Sequence, residues 1–160
     1  MKQYVYSLKF ALGLFLLISS ASADLQRGIE AYKSGQFESA LAELQPLADE
    51  GNRHAQFFLA EMYLYGKGVS QEFDQAKFWY EKAAKRGLPE AQAALSGLYL
   101  LGLGTSRNRG YGYYWAIISV VWSNDDIRRA GMGSLAEVSV MLKPGVKAEI
   151  TRDAVAAWRR

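Results

Sequence analysis

Residues 51–86, GNRHAQFFLAEMYLYGKGVSQEFDQAKFWYEKAAKR, and residues 87–122, GLPEAQAALSGLYLLGLGTSRNRGYGYYWAIISVVW, decide how this chain folds. Set over one another they coincide at ten of 36 positions: Gly51/Gly87, Ala55/Ala91, Gln56/Gln92, Leu59/Leu95, Tyr63/Tyr99, Leu64/Leu100, Gly66/Gly102, Gly68/Gly104, Ser70/Ser106 and Trp79/Trp115. Unrelated segments would share about two, so these are copies of one unit, and a period of this size marks stacked supersecondary elements. The preceding segment joins more faintly: Phe37, Ala40 and Ala48 lie 36 residues ahead of Phe73, Ala76 and Ala84.

Each copy reads as two helices. In the first, Ala55, Leu59, Met62 and Tyr63 recur at the spacing of one helical face. Gly66-Lys67-Gly68 then ends it, because glycine accepts the left-handed backbone that closes a helix. The second helix is expected from about Glu72 to Arg86, with Phe73, Ala76, Trp79, Tyr80, Ala83 and Ala84 on its apolar face. Alanines let neighbouring helices approach, and Trp79 and Trp115 fill the wider gaps. Gly87 stops this helix before Leu88-Pro89 opens the next unit. Long alternating β-branched runs are missing, so a sheet has little to build from. The fold class is therefore all-α: a solenoid of about three antiparallel helical hairpins with a C-terminal helical cap.

Ala55-Gln56, Leu59, Tyr63, Gly66-Lys67-Gly68-Val69 and then Ala76 through Gly87 resemble a nearly complete Sel-one-like repeat, a longer-turned relative of the tetratricopeptide repeats. The third unit follows the pattern through Gly104 and then drifts. Gly112 replaces the usual alanine, and Ile118-Ser119-Val120 stands where lysine and two alanines are expected. The first unit, Ile29 to Gly51, is similar to an ordinary tetratricopeptide hairpin with a shorter turn at Ser34-Gly35, and Pro46 is expected to kink its second helix. The units divide at about 25–51, 52–87 and 88–123. Beyond them, 124–160 is expected to cap the array. Gly131-Met132-Gly133 breaks the chain, Ser134 caps a short helix over Leu135 to Leu142, and Pro144 begins a last helix with Val146, Ile150, Ala154 and Trp158 on one face. A solenoid end needs such a cover for its apolar edge, and a Trp-bearing helix after a proline is similar to the end of many exported members of the family.

Residues 1–23 read as a cleavable export signal. Lys2 and Lys9 supply the positive start, Phe10 to Ile18 the apolar centre, and Ala21-Ser22-Ala23 the small-residue cleavage site. Nine helical residues span about 13 Å against a bilayer core of about 30 Å, too short for a permanent anchor. The expectation is a periplasmic or secreted protein whose mature chain starts at Asp24. Losing Lys2 and Lys9 from the 19 basic residues leaves 17, against 16 acidic ones. The remaining charge is uneven: residues 24–100 hold 8 basic and 11 acidic side chains, residues 101–160 hold 9 and 5. Neither part has the dense basic patch of a nucleic-acid binder.

The chemical inventory is thin. With 50% hydrophobic and 22% charged residues the chain is too apolar for disorder. It has no cysteine, which excludes disulfides, thiolate metal sites and a thiol nucleophile, and its one histidine, His54, excludes a multi-histidine metal site. Gly66-Lys67-Gly68 and Gly102-Leu103-Gly104 fall short of a dinucleotide loop, since Gln71 and Arg107 stand where glycine is required and no strand precedes either. Glu61 with Glu81 or Asp74 could pair as acid and base only across a defined cleft. No Gly-x-Ser-x-Gly elbow occurs. No enzyme activity, cofactor or metal is expected.

Binding remains. Once Ala55, Leu59, Met62 and Tyr63 are given to packing, His54, Phe58, Glu61 and Tyr65 form a separate stripe at steps of 4, 3 and 4. In the next unit the equivalents are Glu90, Ala94, Gly97 and Leu101. The tetratricopeptide resemblance implies that both stripes look into a concave groove. Phe58 and Tyr65 would be apolar anchors there, His54 and Glu61 polar register, and Gly97 room for a ligand backbone. An equally weighted alternative packs Phe58 on the preceding hairpin and leaves the stripe without a ligand. Tyr111, Tyr113 and Tyr114 form a second candidate, either an exposed patch for a protein or glycan or packing for the cap. The reading is an exported, non-enzymatic scaffold or adaptor for a protein or peptide partner. By resemblance, such proteins often serve the cell envelope. The competing reading is a peptidoglycan-binding protein or a carboxylate-dependent hydrolase.

Overall fold

In the computed structural model the described residues are 23–122, 132, 135–136 and 139–158. The expected export signal lies outside them except for Ala23, as do Gly131, Gly133 and Ser134 of the expected cap. Helical residues 23–33 (α1) and α2 (Phe37–Asp49) form the first hairpin, joined at Ser34-Gly35 with Gly35 at φ 79°. α3 (Arg53–Tyr65) and α4 (Phe73–Lys85) form the second, α5 (Pro89–Leu101) and α6 (Arg109–Trp122) the third. A last helix, α7 (Pro144–Trp158), packs on α6. From α2 to α7 each helix packs chiefly on its neighbours in the chain, and no strand occurs among the described residues. This is an all-α solenoid.

Local chemistry sets the helix ends. Asn52 Oδ1 accepts the backbone N–H groups of His54 and Ala55 and so caps α3, while Pro89 opens α5, where its missing N–H costs nothing. Gly66 and Gly102 end α3 and α5 in the left-handed region, at φ 66° and 75°. The same turn bonds recur one period apart: Glu72 N–H donates to Tyr63 O, and Asn108 N–H donates to Tyr99 O. α4 runs from Phe73 to Lys85, with Glu72 and Arg86 as its flanking residues. α2 continues through Pro46 to Asp49. The helix does not stop at the proline, although Pro46 has no N–H to give to the carbonyl of Ala42.

The core joins the units. Leu44 from α2, Leu59 and Met62 from α3, Trp79 and Tyr80 from α4, and Leu95 and Leu98 from α5 are all buried, with alanines between them. Two buried glutamines tie successive units together. Gln56 Nε2 donates to Ala48 O at 2.9 Å and Gln92 Nε2 to Ala84 O at 3.1 Å, each reaching a carbonyl in the last turn of the preceding helix. Such carbonyls have no partner inside their own helix.

At Gly112 the departure of the third unit from the pattern coincides with contacts to α5. Ser96, where the second unit has Ala60, donates its buried hydroxyl to Gly112 O at 2.7 Å. A Cβ at Gly112 would come within 2.5 Å of Leu100 Cδ2, so the alanine expected there would require Leu100 to shift. In α7, Ala154 is buried and Ile150 half-buried, while Val146 stays on the exposed side. Among the described residues, no helix is long and apolar enough to cross a membrane.

Candidate functional site

Stacking α3 beside α5 leaves a hollow of about 400 Å³ between the first helices of consecutive repeats. Glu61 and Tyr65 reach it from α3, and Ala94, Gly97 and Leu101 from α5, so five of the eight expected groove residues meet at one place. Tyr65 is 58% exposed and Leu101 63%, which puts two large apolar side chains at the rim. The walls are otherwise built by Leu64, Leu98, Leu103 and Phe73, with Gln71 and Tyr80 as further polar groups. Gly97 sits in mid-helix with nothing within 4 Å of the position its Cβ would take. A methyl group there would stand in open space.

The other three expected residues lie elsewhere. Phe58 is half-buried and packs on Tyr32 of α1 (ring centroids 5.1 Å apart) and on Phe57 (5.5 Å). Its ring is thus engaged with the preceding hairpin, as the alternative assignment had it, and not with the hollow. His54 is exposed in the first turn of α3, and Glu90 is half-buried in the first turn of α5. A stripe that is continuous on one helix thus borders the hollow only over its later part, at Glu61 and Tyr65 on α3 and at Ala94, Gly97 and Leu101 on α5.

A polar network underlies the hollow. Tyr80, fully buried in α4, donates its hydroxyl to Glu61 Oε1, and Tyr32 donates to Glu61 Oε2 at 3.5 Å. Lys67, in the turn after α3, donates to Tyr32 Oη at 2.9 Å and lies over the rings of Tyr32 (4.6 Å), Tyr65 (5.3 Å) and Phe37 (5.7 Å). One unit on, Tyr99 donates to Glu81 Oε1 at 3.2 Å. Glu61 and Glu81 therefore serve different tyrosines. Among the described residues, no group of three His, Asp or Glu side chains could hold a metal ion. The residues sequence reasoning passed over here are Tyr80, assigned to the core, and Lys67, assigned to the helix stop. Each does both jobs, and only the packing of α1 and α4 on α3 brings them to Glu61.

Burial, and then the negative charge of Glu61, push the Tyr80 hydroxyl well above the ordinary tyrosine range. Burial likewise raises Tyr32, and burial followed by Glu81 raises Tyr99. The folded chain thus keeps protons that an unfolded one gives up. Stability from these groups is fully present below pH ~10 and is lost above it, as the unfolded tyrosines ionise. Melting temperatures should fall steeply above about pH 10, and Tyr80→Phe should fall less steeply than the parent. Equal slopes would remove Tyr80 from the account.

The tyrosine patch divides. Tyr111 and Tyr114 border a second hollow of about 340 Å³ together with Asn108, Gly110, and Ile150 and Asp153 of α7. Tyr111 stacks on Tyr99 at 5.3 Å and stays 56% exposed, whereas Tyr113 and Tyr114 are half-buried.

Residues 53–88 and 89–119 match the family model of the Sel1 repeat. No curated protein matches the chain. Among solved structures it is similar to a protective antigen of uropathogenic Escherichia coli strains that displays an SLR fold, with 25% identity and a TM-score of 0.75 over 85% of this chain and 30% of the antigen. It is also similar to a Sel1 repeat protein from Oxalobacter formigenes, with 30% identity and a TM-score of 0.62 over 66% of this chain and 43% of the other. The chain thus spans less than half the length of either structure.

Proposed function

The chain is a Sel1-repeat protein, and on that premise we propose that it is a binding module that holds a protein partner in the hollow between α3 and α5. Sel1 repeats generally form scaffolds for protein–protein interaction and are typically non-enzymatic. The observation that carries the reading is that Tyr65 and Leu101, both largely exposed, border one hollow that Gly97 also lines. Large apolar rim residues over a preformed hollow are the usual anchors of an interface. The mechanism is equilibrium binding, with no bond made or broken.

The first test is capture of the partner on the chain from residue 24 onward, followed by affinity measurement on variants. Tyr65→Ala and Leu101→Ala should each weaken binding about tenfold or more, the scale of a hot-spot loss, while the melting temperature barely moves. Phe58→Ala should do the reverse, because its ring packs on Tyr32 and Phe57. A large loss of stability at unchanged affinity for Tyr65→Ala and Leu101→Ala would assign both to packing.

Export belongs to the same proposal. Lys2, Lys9, the apolar run 10–18 and Ala21-Ser22-Ala23 support a cleaved signal and a role in the cell envelope. Mass spectrometry of the protein from its native host should find an N-terminus at Asp24, and an intact Met1 in the membrane fraction would replace this picture with a tethered one.

A further inference from the structure

We propose that the hollow between α3 and α5 takes a basic side chain, lysine or arginine, carried on an otherwise apolar segment of the partner, with Glu61 as its counter-charge. This rests on the docking reading above and names the chemistry it selects. Glu61 is the one charged residue among those lining the hollow, and it stands in an apolar wall. Its two oxygens accept from the neutral hydroxyls of Tyr80 and Tyr32, and among the described residues no cation lies within ion-pair distance of it. Glu61 is half-buried, and its carboxylate is held by hydroxyl donors and not in a direct ion pair. A guest that brings a positive charge gains most from such a site, and an acidic guest is repelled by it.

The surroundings favour the same guest. Lys67 is the cation nearest in the network; it donates to Tyr32 Oη, lies over the aromatic faces around it, and attracts Glu61 from one hydroxyl away without bonding to it. Tyr65, at the rim, offers an aromatic ring of the kind that takes a cation, and Lys67 lies over one side of it at 5.3 Å. Gly97 leaves space for the stem of a long side chain, and Leu98 and Leu101 give that stem an apolar bed, the arrangement by which lysine and arginine bury their methylenes. The acidic excess of residues 24–100, 11 against 8, draws a basic segment toward this half of the molecule.

Selection from a displayed library of random heptapeptides on the folded chain tests this directly. The expected result is recovered peptides with lysine or arginine at one fixed position between apolar residues. A synthetic peptide of that consensus should bind at least tenfold more tightly than its Lys→Met form, and Glu61→Gln, which removes the charge at nearly the same size, should erase the difference. Peptides without a fixed basic position, or equal binding of the lysine and methionine forms, would overturn the charge assignment while leaving the hollow as a docking site. Recovery of the same peptides by Leu101→Asp, or no selection by the parent at all, would overturn the docking site and this proposal with it. If Glu61→Gln does not fold, the comparison of the two peptides on the parent decides alone.

Discussion

Trp79→Ala is expected to destabilise the folded chain by about 3–5 kcal/mol, the range for deleting a large buried aromatic side chain. Trp79 is 6% exposed and lies in the core that α2, α3, α4 and α5 share. Its ring meets Phe78 edge-on at 5.0 Å, and Lys82 Nζ lies 4.6 Å from its centroid. The alanine would leave a void that backbone packing on both sides prevents from closing. In a repeat array each unit is held only by its neighbours, so the loss should spread through the whole short stack as one transition at a lower midpoint. Urea unfolding followed by circular dichroism gives the measurement. A midpoint equal to the parent's would mean that the second helix presents another face to the core.

The period of 36 was readable because the residues that carry it are constrained twice, by their own helix and by the neighbouring unit. Ala55 and Ala91 sit where helices touch, and Gly66 and Gly102 sit at left-handed stops, so each pair survives in both copies. Gln56 and Gln92 are equally visible as a pair, yet their role is not, since the carbonyls they reach belong to the preceding unit. The drift at Gly112 was visible as a departure from the pattern. The side chain that crowds it, Leu100, lies on another helix and cannot be read from residue 112 itself.

The candidate site was legible at one end of its stripe and not at the other. Helical spacing places Phe58 and Tyr65 on one face, but it does not say where the next unit stands above that face. Tyr65 comes to the rim of the hollow, while Phe58 lies under Tyr32 because α1 covers that part of α3. Glu61 falls between them. Its position in the stripe follows from spacing, and its tyrosine partners follow from tertiary packing alone.

Gly104→Ala is expected to cost about 2–5 kcal/mol, made up of a left-handed backbone penalty of about 1–2 and an overpacking penalty of about 1–3. Gly104 has φ 62°, and a Cβ there would fall inside the contact distance of Phe73 O and within 2.8 Å of Asp74 N. Those atoms are backbone at the start of α4 and cannot swing aside. Gly68, one period earlier, stands in the same relation to Phe37, the first residue of α2, at 2.7 Å from its Cβ and 3.0 Å from its carbonyl carbon. Gly87 is the control: its φ is 75°, but nothing lies within 4 Å of its Cβ position, so Gly87→Ala should carry the backbone penalty alone, about 1–2 kcal/mol. The second glycine of each Gly-x-Gly turn is therefore an inter-unit contact as well as part of a helix stop, and its missing side chain sets how closely consecutive repeats approach. Unfolding midpoints of the three alanine variants decide the matter. Gly68→Ala and Gly104→Ala should fall together, well below Gly87→Ala. Three equal losses would reduce all these glycines to their backbone angles and leave the repeat spacing to the helices.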